Sequence, residues 1–430
     1  MRGSSAVSDQ KPAALAPGWM ENCVKLLLSL LATCLISMAP AWAAQTPASA
    51  TADRAAVVEG NNAFAVDLYG QLRSRSSNLF FSPESISTAL AMTYGGARGD
   101  TAAEMAKSLH FTLPPDRLHP AMGALLGDLN APHNGYQLHV ADALWVQQGY
   151  AFLDDFLKLT KNDYGAGFNQ VDFKGATEAA RLTINEWVGQ KTENKIKDLL
   201  QPGVLKPTTR LVLTNAIYFK GDWQTPFDKD RTEVEDFHLS PVQTVRAPLM
   251  HIRNSFYYLN GGTFRVLEIP YKNNELSMIV FLPNDVSGLP AFENSLTESS
   301  LRQWLGQLQP ASDVILTLPK FKMTRQFELQ QTLGRMGMEQ AFGKSADFSG
   351  ITGGRDLFIS SVIHKAFVDV NEEGTEAAAA TAVMMRDMAK QNRTPPPPIV
   401  FRADHPFIFL IRDNRSGGIL FMGRVIDPTK

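Results

Sequence analysis

The chain has 430 residues, with 41 Lys and Arg against 43 Asp and Glu, for a formal charge of −2. A balance this close to neutral leaves no electrostatic footprint for nucleic acid or an anionic membrane, so neither is expected as a partner. Only two cysteines occur, Cys23 and Cys34, so a disulfide framework is excluded as the main support and the fold must rest on its core.

At the N-terminus, Lys25 precedes an apolar run from Leu26 to Ala39, and Ala41-Trp42-Ala43 then supplies the small residues that a signal peptidase reads. Residues 1–44 are therefore expected to be an export signal cleaved near Ala43 or Ala44, giving a secreted protein, extracellular or periplasmic. The apolar run is too short for a comfortable membrane span. Met1 to Trp19 lacks the character of such a signal, so Met20 is a candidate start. A competing reading takes Leu31-Ala32-Thr33-Cys34 as a lipoprotein box anchored at Cys34, although Thr before the cysteine is atypical. Residues 45–430 show no linker or composition break before residue 386, and one large domain is expected.

Helical spacing follows at Phe64, Leu68 and Leu72, and again at Ala180, Ile184, Trp187 and Val188. Between them, Arg98-Gly99-Asp100 invites an adhesion reading, but Asp100 or Thr101 placed before a helical pattern reads better as a helix cap. Strand-like runs dominate later: Leu211 to Phe219, Leu276 to Leu282 closed by Pro283-Asn284, then Phe407 to Ile411 and Ile419 to Val425 around Ser416-Gly417-Gly418. Helices first and strands later give an α+β class. No zinc-binding His-Glu-x-x-His, P-loop, dinucleotide fingerprint or Gly-x-Ser-x-Gly elbow occurs, and neither a cofactor nor a metal is expected. His364, after the apolar run Ile359 to Ile363, is the one histidine with a structural argument attached, and a hydrolase reading would make it a general base.

The most informative stretch is Asn371-Glu-Glu-Gly-Thr-Glu followed by Ala-Ala-Ala-Ala-Thr-Ala382. Alanine leans to helix by tenths of a kcal/mol while Thr and Val383 lean to strand, so the segment has weak local preference and can hold two conformations. Read with period two, Thr375, Ala377, Ala379, Thr381, Val383 and Met385 share one small, uncharged face. Glu376, Ala378 and Ala380 lie on the other. Pro395 to Pro398 then reads as a stiff polyproline II arm or a plain spacer.

This hinge resembles that of the inhibitory serpins, whose reactive loop opens with a Glu-x-Gly-Thr-Glu-Ala-Ala-Ala-x-Thr pattern. Other blocks resemble the same family in order: Asn78 to Phe111, Leu213 to Phe227, Leu316 to Phe348, and Phe401 to Val425, which is similar to the family's C-terminal signature. The resemblance runs from about residue 55 to the end. It implies a serpin fold, with a large central mainly antiparallel sheet, N-terminal helices, smaller sheets and an exposed reactive-centre loop at about residues 372–400.

It also implies roles for particular residues. His364 would hydrogen-bond across the middle of the main sheet with Asn215, Ser82 and Ser85, a latch that tolerates only certain strand spacings. At the top of that sheet Trp223 and an ion pair of Lys320 with Glu372 would stand where the loop goes in. The hinge would comprise Glu372, Gly374, Thr375, Glu376, Ala377, Ala378, Ala379, Ala380 and Thr381. Counting forward from Gly374 puts the scissile bond between Met388 and Ala389, whereas counting back from Pro406 puts it several residues later. Met388 would suit an elastase-like or chymotrypsin-like protease; Arg386, Lys390 or Arg393 would invite a trypsin-like one. The region Glu104 to Asn130 carries only Lys107 and Arg117 as strong bases, so no sulfated polysaccharide is expected, and a monomer is.

The function implied is that of a suicide-substrate inhibitor of serine proteases, not an enzyme. A non-inhibitory serpin acting as a binding or chaperone module is the alternative, and charge or proline at the inward hinge positions would favour it. Thr375, Ala377, Ala379 and Thr381 carry neither.

Overall fold

In the computed structural model the described residues are 47–74, 76–165, 167–375 and 397–430. Ala50–Lys430 is one compact unit; of the other, Met1–Ser49, only residues 47–49 are described. The helical periodicity of the first half yields α1 (Pro47–Leu72), α2 (Pro83–Tyr94), α3 (Gly99–Ser108), α4 (Pro115–Asn130), α5 (Asp154–Tyr164) and α6 (Thr177–Lys191). Among them lie β1 (Leu79–Phe81), β2 (Tyr136–Gln147) and β3 (Gly167–Val171), so helices and strands interleave earlier than the sequence suggests. Then follow β4 (Leu211–Asp222), β5 (Glu233–Ser240), β6 (Gln243–Asn260), β7 (Phe264–Pro270) and β8 (Leu276–Pro283). The chain closes with β9 (Gln309–Pro319), β10 (Phe321–Glu328), β11 (Ile359–Val370), β12 (Gly374–Thr375), β13 (Ile399–Arg402), β14 (Phe407–Asp413) and β15 (Ile419–Val425).

Two sheets result. One has six strands in the order β10-β11-β12-β4-β2-β3; the other has nine, and contains the β14–β15 hairpin that the sequence marks around Ser416-Gly417-Gly418. β4 explains why its sequence is almost continuously apolar. Ile217 and Phe219 point into the core between the two sheets, with Phe80, Val280, Val368 and Phe409, while Val212, Ala216 and Tyr218 point the other way. That second face is covered by α6 and the segment after it, through Ile184, Val188, Ile196, Leu199 and Leu200. A strand covered on both faces needs no polar face.

The topology that matters most is at the centre of the six-stranded sheet. β11 and β4 are parallel and pair directly from Ile359 opposite Leu211 to Phe367 opposite Tyr218. Above that point they separate, and the two-residue strand β12 lies between them, antiparallel to both: Thr375 opposite Val370 of β11, and Gly374 and Thr375 opposite Asp222 and Gly221 of β4. Insertion of a strand along this seam therefore has a start already in place.

The cap expected at α3 is corrected. Arg98 holds the cap position without a side-chain bond, and the buried Thr101 hydroxyl instead accepts from the Asp347 amide at 2.9 Å. Gly350, in a short helix Ser349–Thr352, lies directly against the Arg98 guanidinium, which brings Asp347 onto the start of α3, where its amide claims the Thr101 side chain. Among the described residues no helix is long and apolar enough to cross a membrane.

Candidate functional site

The lower part of the seam is held by a buried polar network. Pro83 starts α2 and Ser82 caps it, accepting from the Ser85 amide at 3.2 Å. The Ser82 amide in turn donates to His364 Nε2 at 3.2 Å. Since an amide can only donate, Nε2 is the acceptor and the ring proton sits on Nδ1, which donates to Asn215 Oδ1 on the neighbouring strand. His364 and Asn215 are Cα partners in the parallel register, so this bond spans the seam itself. Asn215 Nδ2 donates onward to Ser85 Oγ and to Asp142 of β2, and Ser85 Oγ donates to Asp142 at 3.2 Å.

The structure thus brings Ser82, Ser85, Asn215 and His364 together, with Ser85 reaching the histidine only through Asn215. Sequence reasoning missed Asp142, where the network ends, and Glu84, which adjoins it. Asp142 had a signal: it is the one charge in the apolar run Ala141 to Val146. Glu84 had none, being an acidic residue in the first turn of a helix, the commonest place for one. Burial lowers His364 to about 3, so the ring is neutral. Burial pushes the Asp142 carboxyl well above its ordinary range, and the nearby Glu84 charge adds to this against the Ser85 and Asn215 bonds. Glu84 is itself raised to about 7 by burial, partly offset by a bond from Thr88.

The upper part of the seam is organised around Glu372. Its carboxylate takes Lys320 Nζ at 2.8 Å and the Thr232 hydroxyl at 2.8 Å. Burial alone would raise this carboxyl, but the Lys320 and Thr232 bonds outweigh it and hold it below the usual value. Trp223 donates Nε1 to the Asn371 carbonyl at 3.0 Å and its amide to the Glu373 carbonyl at 2.9 Å, while Glu373 pairs with Lys229. Beneath, the Trp223 ring stacks on Tyr271 with centroids 4.6 Å apart, and the Tyr271 hydroxyl bonds Thr375 Oγ1 at 2.8 Å. Gly374 is required where it stands, because a Cβ there would collide with the Gly221 carbonyl and the Asp222 backbone. Thr232, Lys229 and Tyr271 carry no motif and reach the hinge only through tertiary folding.

Glu372, Gly374 and Thr375 are therefore placed, with Thr375 fully buried. Glu376, Ala377, Ala378, Ala379, Ala380 and Thr381, the bond Met388–Ala389 and the alternatives Arg386, Lys390 and Arg393 lie outside the described residues.

A depressed histidine gives a defined pH signature. His364, at about 3 in the fold against about 6.5 unfolded, contributes stability that is complete above pH 6.5 and is lost progressively as the pH falls toward 3. The urea midpoint of the first unfolding transition is expected to fall over that window, and to fall less in His364→Gln. His364→Ala leaves the Ser82 amide and Asn215 Oδ1 without partners and is expected to cost on the order of 2–4 kcal/mol at pH 7.5. An unchanged midpoint in both variants would show that the network carries no load.

Comparison with known proteins agrees with this architecture. A serpin (serine protease inhibitor) family model matches residues 59–428. The leukocyte elastase inhibitor of Equus caballus is 44% identical over 380 residues, covering 86% of this chain and 98% of that protein. Among solved structures, Serpin48 of the insect Tenebrio molitor superposes with a TM-score of 0.77 at 35% identity, covering 86% of this chain and 98% of its own. Uncleaved ovalbumin gives 0.78 at 28% identity, covering 87% and 100%. With the match spanning nearly all of the compact unit, the chain belongs to the serpin family.

Proposed function

We propose that the protein inhibits a serine protease as a suicide substrate, trapping the acyl-enzyme by inserting its cleaved loop into the six-stranded sheet. The observation that carries this reading is β12. Gly374 and Thr375 already occupy the strand position between β11 and β4, running antiparallel to both. Continuing in that direction leads the following residues down the β11–β4 seam. Thr375 faces the interior, so Ala377, Ala379 and Thr381 fall on the same inward face by strand alternation, and all are small and uncharged.

The energetics favour insertion once the loop is cut. About 14 residues at roughly 3.3 Å each travel some 45 Å, and ladder bonds on both sides, each worth about 1 kcal/mol net, supply on the order of 10 kcal/mol or more. That exceeds the several kcal/mol needed to disorder an oxyanion hole. Three things oppose it beforehand: the His364–Asn215 bond across the seam, the Glu372 clamp above it, and the cover of α6. The cover is tied down by Lys365 Nζ to the Lys197 carbonyl at 2.7 Å and Gln326 Nε2 to the Leu199 carbonyl at 3.0 Å, so it must lift as the strand passes.

Met388–Ala389 is the bond the hinge spacing favours, and an elastase-like or chymotrypsin-like enzyme the target class, in keeping with the name of the Equus caballus relative. The inhibitor acts as a monomer, and residues 1–44 direct export. Incubation with elastase, chymotrypsin and trypsin followed by denaturing gels is expected to show a covalent complex with the first or second, and a released peptide beginning at Ala389. In Thr375→Arg, which puts a charge into the sheet interior, complex should fall at least tenfold while loop cleavage continues; complex at the wild-type level would refute insertion. Export is checked by N-terminal sequencing of the protein from the medium or periplasm. A start at residue 44 or 45 is expected, and accumulation of the uncleaved chain inside the cell would rule it out.

A further inference from the structure

Away from the seam, a cavity of about 390 Å3 lies between α1, α2, α4 and the β14–β15 turn. Its walls include the apolar side chains of Val58, Leu125, Leu129 and Ile419. Two ion pairs stand at its rim: Arg54 with Asp128 at 2.7 Å, and Arg415 with Asp413 at 3.3 Å. Both pairs are internally neutral, so the rim offers no free charge of either sign.

The buried end differs. Glu84 is 8% exposed and Asn61 5%, and both line the cavity. One Glu84 oxygen accepts from Thr88 Oγ1 at 3.1 Å; the other has no hydrogen-bond partner, and no cation pairs with this carboxyl among the described residues. The Asn61 carbonyl accepts from Ser87 Oγ at 2.7 Å, which leaves its amide nitrogen without a partner among the described residues. Buried polar groups are normally satisfied, and an acidic side chain this deep is normally paired. Here a carboxyl and an amide, each with a free hydrogen-bonding position, meet in an apolar-walled space large enough for a small molecule.

We propose that this cavity binds a small organic ammonium with an apolar body, its charged end on Glu84 and its body against Val58, Leu125, Leu129 and Ile419. Anionic ligands are disfavoured by the unpaired carboxyl. A bare metal ion is disfavoured because one carboxylate beside an amide donor makes a poor oxygen shell. The Asn61 amide is available to a hydroxyl or carbonyl on the same ligand.

The site has a built-in pH dependence. Glu84 is raised to about 7 by burial, so the free cavity carries a neutral acid below that pH and a carboxylate above it. Ammonium binding requires the carboxylate, and therefore strengthens as pH rises and releases a proton when it occurs near pH 6. The charged groups facing Glu84 are Asp142 of β2 and the rim groups Arg54, Asp128, Asp413 and Arg415. Glu84 also precedes Ser85, whose hydroxyl bonds Asp142, so the occupied cavity abuts the end of the His364 network.

The test is isothermal titration calorimetry of the full chain with 2-phenylethylamine, using 2-phenylethanol as the uncharged control. Saturable one-to-one binding of the amine is expected, about tenfold or more weaker at pH 5.5 than at pH 8, and at least tenfold tighter than the alcohol. Glu84→Gln, which keeps an acceptor for Thr88, should weaken the amine at least tenfold and abolish the pH dependence. Leu125→Trp fills the space without touching Glu84 and should block binding while leaving protease inhibition intact. Equal binding of alcohol and amine, retained binding in Glu84→Gln, or no saturable heat at millimolar amine would each overturn the proposal.

Discussion

The parallel pairing of β4 with β11 is the constraint on which the rest of the structure depends. The two parallel neighbours pair continuously from Ser361 to Phe367, yet their upper ends are held apart by β12, so the sheet is both closed and started for a further strand. The His364 to Asn215 bond fixes the closed spacing, because the two residues are register partners and an intervening strand would move them one strand spacing further apart, from roughly 4.8 Å to about twice that. A hydrogen bond does not stretch that far. Separating the two strands would break this bond outright and leave two buried polar groups unsatisfied.

At the top of the seam the balance is different. Glu372 is buried with two strong partners, Lys320 and Thr232, while its neighbour Thr375 is also buried and bonded to Tyr271. A carboxylate in this setting is costly to strand without its cation, so the segment Glu372 to Thr375 is held in place. The clamp and the wedge are consecutive in the chain, separated only by Glu373 and the close-approach Gly374.

Much of this was legible in the sequence where a local pattern carried the information. The β14–β15 hairpin follows from its Ser-Gly-Gly turn and β4 from its apolar run, while of the period-two face read in the hinge only Thr375 is described, and it is buried. His364, Asn215, Ser82 and Ser85 were found through the family likeness, not through spacing, since they lie far apart in the chain. Glu84, Thr232 and Tyr271 escaped because each is unremarkable in its own segment and acquires its role only from what the fold places beside it, whereas Asp142, the one charge in its apolar run, stood out locally but had no partner that spacing could name. The helix cap at Asp100 or Thr101 failed for the same reason: the Asp347 amide, distant in sequence, claimed the Thr101 hydroxyl.

If the seam bond and the Glu372 clamp hold the uncut chain short of its most stable sheet, cutting the loop must release stability. The most direct test is the melting temperature before and after a single cut in the loop by a protease that the protein does not trap. Strand insertion worth about 10 kcal/mol predicts an increase on the order of 10 °C in the cut, still associated protein. A cut chain that melts at the same temperature as the intact one would contradict it.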